Sequence, residues 1–279
     1  MSIRFIIDST TDLNPAISHR FTVVPLTICF GKEEFIDGVT ITHKEFYERL
    51  IETDALPSTS QASPSAFEKV FDEVTAAGDW AVVITLSHKL SGTYQSAVIA
   101  ADGRENIHLV DSGSAAIGAG ILAELALQLA DEGMDAAEIA ERLREERKNI
   151  RVIALLDTLE YLKRGGRISR TVAFAGSMLA IKPVASIVDG EIKLLGKARG
   201  SKQGNNLLVS EIEKSGGVDF SRPILLGYTG LSDYMLQKYI TDSAALWQYA
   251  ADELAITAIG SVVGTHAGPG AIAAAFFHK

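Results

Sequence analysis

From Ile3 to Lys148 the chain repeats one pattern: a short apolar run, a polar loop, then a helix-forming segment. No other feature limits the fold as much. Ile3 to Ile7, Phe21 to Phe30, Trp80 to Leu86 and Ile107 to Val110 read as buried strands. Helices are expected from near Leu13 or Pro15, over His43 to Glu52, from Pro64 to Thr75, and over Thr93 to Asp102, Ala115 to Ala130 and Ala136 to Lys148. Thr42 stands where a cap is needed, Ser63 with Pro64 forms an N-cap and N1 pair, and Asp111-Ser112 are placed to cap the segment from Ala115. Phe46, Leu50 and Ile51 mark the apolar face of the helix after Thr42. Four strand–loop–helix units in succession build a parallel sheet with helices on both faces.

Beyond Asn149 the pattern changes. Val152 to Leu156 reads as a strand, and Leu159 to Ser169 as a short helix stopped by Gly165-Gly166. Thr171 to Leu179 reads as helix. Ile181 to Val188 and Ile192 to Leu195, joined by Asp189-Gly190, read as a hairpin. A helix over Asn206 to Lys214, a strand over Ile224 to Tyr228, a helix over Ser232 to Ala245 and a last strand in the β-branched run Ile256 to Val263 follow. The expected fold class is α/β: an N-terminal parallel-sheet α/β domain over 1–149 and a C-terminal mixed α+β domain over 150–279.

Composition narrows the function classes. The chain has 279 residues, 47% hydrophobic and 22% charged, with a formal net charge of −9. That balance argues against nucleic acid, which calls for a basic stripe. The single cysteine, Cys29, excludes an internal disulfide and multi-cysteine metal sites, and reads as a small buried hydrophobe in a strand. The six histidines show no metal-ligand spacing, so neither a metal nor a cofactor is expected. The apolar run before Asp8 is too short for a signal-peptide core, and Ala115 to Ala123 falls well below the roughly 18 residues of a membrane span. A cytoplasmic protein without stable membrane insertion is expected.

Candidate chemistry gathers in four loops. Asp8 to Asp12 follows the first strand, where open α/β sheets place ligands, and reads equally as a helix cap. Ser58 to Pro64 offers hydroxyl donors before a helix start, Ser91-Gly92 stands at another, and both suit an anionic oxygen. Gly264 to Gly270, with three glycines and a proline, reads as a sharp turn carrying one titratable side chain, His266.

In chain order, DSTTDL (Asp8 to Leu13), STSQASP (Ser58 to Pro64), LSGTYQSA (Leu90 to Ala97), LEYLKRGGRIS (Leu159 to Ser169), IKPV with DGEIK (Ile181 to Lys193) and GTHAGPGAI (Gly264 to Ile272) are similar to the motifs of the DegV family of bacterial fatty-acid-binding proteins. The resemblance covers essentially the whole length. It implies a two-domain protein that buries one long-chain fatty acid between its halves and presents the carboxylate to a separate fatty acid kinase, which forms an acyl-phosphate. It implies a carrier rather than an enzyme. Carried over by motif, the carboxylate contacts fall on Thr59, Ser91 and His266. The Ala, Gly and Met side chains of Ala173 to Ile181 are candidates for the tunnel wall. Candidate docking residues for the kinase are Lys163, Arg164, Arg167, Arg170 and Arg199, with Lys197 and Lys202 nearby. Two departures stand out: Ala62 replaces a usual proline, and Lys197 to Gly204 carries fewer basic residues than the family's common Arg-Gly-Arg-Lys-Lys run.

A carboxylate buried in apolar surroundings costs several kcal/mol unless hydrogen-bonded, and hydroxyls, helix-start N–H groups and an imidazole satisfy it without a fixed cation. Two rivals remain at this stage. One is a hydrolase using Ser91 and His266 with Asp8 or Asp111 as orienting acid, although no nucleophile elbow precedes Ser91. The other is a small-phosphate enzyme, by analogy with the fold of dihydroxyacetone kinases, although no P-loop is present.

Overall fold

The computed structural model describes residues 2–53, 56–168, 181–247 and 254–279. In the first half the elements are β1 (Ile3–Asp8), β2 (Phe21–Val24), β3 (Thr27–Phe30), β4 (Glu33–Ile36), α1 (His43–Glu52), β5 (Ser58–Ser60), α2 (Pro64–Ala76), β6 (Trp80–Thr85), α3 (Thr93–Ala100), β7 (Ile107–Asp111), α4 (Ile117–Asp131) and α5 (Ala136–Glu146). The second half contains β8 (Ile150–Leu155), α6 (Glu160–Arg164), β9 (Ile181–Val188), β10 (Glu191–Arg199), α7 (Gly200–Lys214), β11 (Leu225–Tyr228), α8 (Tyr234–Asp242), α9 (Ala244–Trp247), β12 (Ala255–Ala258), α10 (Ser261–Ala267) and β13 (Ile272–Phe277).

Three sheets result. A four-stranded sheet, β2-β1-β6-β7, is parallel throughout. A six-stranded sheet, β10-β9-β8-β13-β11-β12, is antiparallel except for its β11–β12 pair. A small antiparallel sheet, β4-β3-β5, completes the set. The fold is the expected α/β class, with a parallel sheet in the N-terminal part and a mixed one in the C-terminal part.

Helix α4 joins the two large sheets. Its segment is apolar almost all round, the mark of a helix buried on every side, and it packs on β6 of one sheet and on β8, β11 and β13 of the other. One core therefore runs from Phe5, Val82 and Ile84 through Ile117, Ile121 and Leu125 to Val152, Leu225 and Ala275. Each large apolar side chain buried there contributes about 2 kcal/mol. Gly120 allows the closeness, since a Cβ at that position would stand 2.0 Å from the Asp12 carbonyl oxygen.

Several expectations are corrected by local chemistry. Phe21 to Phe30 is two strands in different sheets, because Pro25 lacks an N–H and cannot sit inside a ladder. No α-helix starts near Leu13 or Pro15; turns and a 3-10 segment, Ser18–Arg20, fill the span. Asp8 instead accepts from the N–H and hydroxyl of Thr10 and from Leu86 N–H, at 2.9, 2.6 and 2.7 Å. Ser58 to Ser60 is not loop but the strand β5, paired with β3. Asp111-Ser112 do not cap α4, whose N-cap is Ala116 without a side-chain bond. On α1 Tyr47 is buried and Ile51 is 59% exposed, so the inward face is turned one position from the expected one. Cys29 lies in β3, half-buried.

Candidate functional site

A cavity lies where the sheets and α4 meet, with about 1040 Å³ of space between protein atoms when its open mouth is counted. Most of its wall is apolar. Leu86, Val152, Leu156, Leu162, Ile187 and Ile259 contribute large side chains. Ala185, Ala154 and Ala273 stand side by side on β9, β8 and β13 and also face the cavity. Three small side chains in cross-strand register leave a trough that leucines would fill.

Polar side chains gather at Thr59, Ser60, Gln61, Ser91, Arg167 and His266. Four segments supply them. Thr59 sits mid-strand in β5, opposite Ile28 of β3. Ser91 lies just before α3, its Oγ 3.0 Å from Thr93 Oγ1 and accepting from Thr93 N–H at 3.3 Å. Gln61 donates to Ser96 Oγ at 2.9 Å, tying β5 to α3. Arg167, just past the glycines that end α6, donates to the Leu90 carbonyl at 3.2 Å and to the Gly165 carbonyl.

His266 is placed differently from the expected strand and sharp turn. The strand ends at Ala258, and Ser261 to Ala267 form α10, so His266 occupies a last helical turn; the sharp turn is confined to Gly268-Pro269-Gly270. The helix start is held from afar: Gly260 N–H donates to Asp12 Oδ1 at 2.8 Å, and Tyr47 OH donates to the Ile259 carbonyl at 3.1 Å. Burial pushes the Asp12 carboxyl well above its usual range, the Gly260 bond offsets this in part, and Asp37 and Asp8 add to the rise. At the other end, His266 Nε2 lies 2.9 Å from Thr59 Oγ1. Burial, reinforced by the charge of Arg167, pushes the imidazole down to about 4, so the ring is neutral at pH 7. Its Nδ1 has no hydrogen-bond partner among the described residues and faces Gly165.

The structure thus brings Thr59, Ser91 and His266 to one cavity. It also adds Gln61 and Arg167, which sequence reasoning did not place there; both lie inside matched motifs, STSQASP and LEYLKRGGRIS. Arg167 departs from the docking group, because it lines the cavity and its guanidinium is bound to main-chain carbonyls. Lys163 and Arg164 are exposed on α6, where Arg164 pairs with Glu160, and Arg199 is exposed at the end of β10. Arg170 and residues 173–180 of the candidate tunnel wall lie outside the described residues.

The hydrolase arrangement is not assembled. Asp111 pairs with His88 Nδ1 at 2.5 Å, and Asp8 is engaged by Thr10 and Leu86. Neither carboxylate orients His266, and a triad needs that third group. No helix among the described residues is long and apolar enough to cross a membrane.

Fold and site together define a class: an α/β protein whose sheets enclose an apolar cavity with uncharged hydroxyls and a neutral imidazole among its polar groups. The DegV family model, described as an uncharacterised protein, matches residues 2–279. A DegV domain-containing protein from Caldanaerobacter subterraneus subsp. tengcongensis is 36% identical over 282 residues, covering 99% of each chain. A DegV family protein from Thermus thermophilus, described as fatty-acid-binding, superposes with a TM-score of 0.84 at 30% identity, covering 99% of this chain and 100% of that one. A stearic-acid-binding protein from Eubacterium ventriosum gives 0.86 at 26% identity, covering 100% and 99%. The chain belongs to the DegV family.

Proposed function

We propose that this protein binds one long-chain fatty acid in the cavity, between a unit of residues 1–149 and a unit of residues 150–279. The carboxylate is held by Thr59 and Ser91 beside His266, and a separate kinase receives it for acyl-phosphate formation. One observation carries the reading: an apolar cavity whose polar side chains include two hydroxyls and a neutral imidazole, with a cation close by. An acyl chain gains about 0.8 kcal/mol for each CH₂ it buries. Its carboxylate would be costly there without donors, and the hydroxyls supply them while Arg167 adds a favourable field. The Thermus and Eubacterium proteins, described as fatty-acid-binding, support the same ligand class here. The exposed Lys163, Arg164 and Arg199, on a chain of net charge −9, support docking to an acidic or phosphate-bearing kinase surface.

Oleate titration of head-group variants tests the reading. Thr59→Ala and Ser91→Ala should each weaken binding by about 1–3 kcal/mol, the cost of removing one donor from a buried anion. The double variant should lose less than the sum, because both donors serve one carboxylate. Unchanged affinity in both single variants would place the carboxylate elsewhere.

A further inference from the structure

Among the described residues Ser91 Oγ has two near partners, and both belong to Thr93. Thr93 N–H donates to it at 3.3 Å, and Thr93 Oγ1 lies 3.0 Å away. Thr93 is fully buried, and its oxygen in turn accepts from Ala62 N–H at 3.4 Å. Among the described residues, the Thr93 hydroxyl hydrogen has one acceptor within reach, Ser91 Oγ. A buried hydroxyl left without an acceptor is costly, so this bond runs from Thr93 to Ser91. A serine oxygen has two lone pairs and one hydrogen. Thr93 fills both lone pairs, and what remains is the Ser91 hydrogen, on a residue that lines the cavity.

We infer that Thr93 is a positioning residue that fixes Ser91 as a donor to the ligand and prevents it from accepting, which selects an anionic head group over an alcohol. The chain of bonds is directional: Ala62 N–H to Thr93, Thr93 O–H to Ser91, Ser91 O–H to the carboxylate. A carboxylate only accepts and matches this end completely. A fatty alcohol brings a hydrogen of its own that Ser91 cannot take, and it lacks the charge that strengthens the bond. The inference rests on the fatty-acid reading of the cavity and deepens it. It assigns the selection to a residue that need not touch the ligand.

The test is a comparison of oleate with oleyl alcohol, titrated at pH 7 into wild type, Thr93→Val and Thr93→Ser. Wild type should bind oleate at least about tenfold more tightly than the alcohol, as expected for a hydrogen bond to a charged rather than a neutral group. Thr93→Val keeps the shape but frees a lone pair on Ser91, which can then turn and accept, so the oleate-to-alcohol ratio should fall several-fold. Thr93→Ser restores the hydroxyl and should restore the ratio. A purely structural role would weaken both ligands equally in Thr93→Val, leaving the ratio unchanged, and that result would overturn the inference. Equal or tighter binding of the alcohol by wild type would overturn it without any variant, which covers the case of a valine variant that does not fold. Wild type that binds neither ligand would instead refute the fatty-acid reading.

Discussion

His266 Nε2 and Thr59 Oγ1 stand 2.9 Å apart although 207 positions separate them in the chain. That contact sets the direction of a second hydroxyl. A neutral imidazole carries one N–H, and Nδ1 is buried without a partner among the described residues. An orphaned buried N–H is rarer and worse than an orphaned acceptor, so hydrogen-bond reasoning assigns the proton to Nε2. The ring then donates to Thr59, and the Thr59 hydrogen is left for a ligand. On the proposed reading, Ser91 and Thr59 would then be a pair of donors for the carboxylate.

The neutral ring has a pH signature. With the folded value near 4 and the ordinary value 6.5, the unfolded chain binds the extra proton first. The contribution of His266 is therefore complete above about pH 6.5 and is lost as pH falls toward 4, on the order of 3 kcal/mol across that interval. Asp8, Asp12 and Asp37, whose carboxyls are raised by burial, act in the opposite sense. The difference between wild type and His266→Gln isolates the histidine. Urea melts at pH 7.5, 6 and 5 should show the advantage of wild type shrinking with each step down. A constant difference would mean that the ring titrates alike in the folded and unfolded chain, so that burial does not depress it.

Gly165 is required by closeness to the same ring. A Cβ there would stand 2.1 Å from His266 Nδ1. Gly165→Ala must push the imidazole off Thr59 or shift α6, a clash of the kind that costs about 1–3 kcal/mol. Oleate affinity and melting temperature should both fall, and combining it with His266→Ala should recover part of the stability, since the truncated side chain leaves room. Full stability and affinity in Gly165→Ala would show that the loop yields freely.

Parts of this architecture were open to sequence reasoning because their signals are local. Thr42 and Glu45 form a capping box on α1, and Asp189-Gly190, both at positive φ, make the hairpin turn between β9 and β10. Signals that act at a distance were not readable. Ser261 to Val263 continues a β-branched run and Gly264 to Ala267 opens a glycine-rich stretch, so they read as a strand end and a turn; the helix has no side-chain cap, and the N–H of its N-cap Gly260 is served by Asp12, 248 positions away. Ile272 to Phe277 shows no alternation because β13 is central and buried on both faces. The loops of Thr59, Ser91 and His266 stand out as donor-rich in the sequence, and motif resemblance gives those three residues their role. Their meeting at one cavity depends on β5, α3 and α10 converging, which no spacing in the sequence states.

The docking proposal is tested away from the cavity. Arg167 is unsuitable, since changing it would disturb the ligand as well. Reversing Lys163, Arg164 and Arg199 to Glu should leave oleate binding as in wild type. The same variant should lower acyl-phosphate formation by a bacterial fatty acid kinase with ATP by about tenfold or more, as loss of charge complementarity does. Undiminished phosphorylation would remove this face from the account.

The central claim is that the cavity holds one fatty acid. Native mass spectrometry of the protein purified from bacteria, before and after organic extraction, reads this directly. The account predicts one added mass per chain in the range of a long-chain fatty acid, released by extraction and restored by adding oleate or palmitate. A chain that carries no such mass, and takes up neither acid when it is supplied, would contradict it.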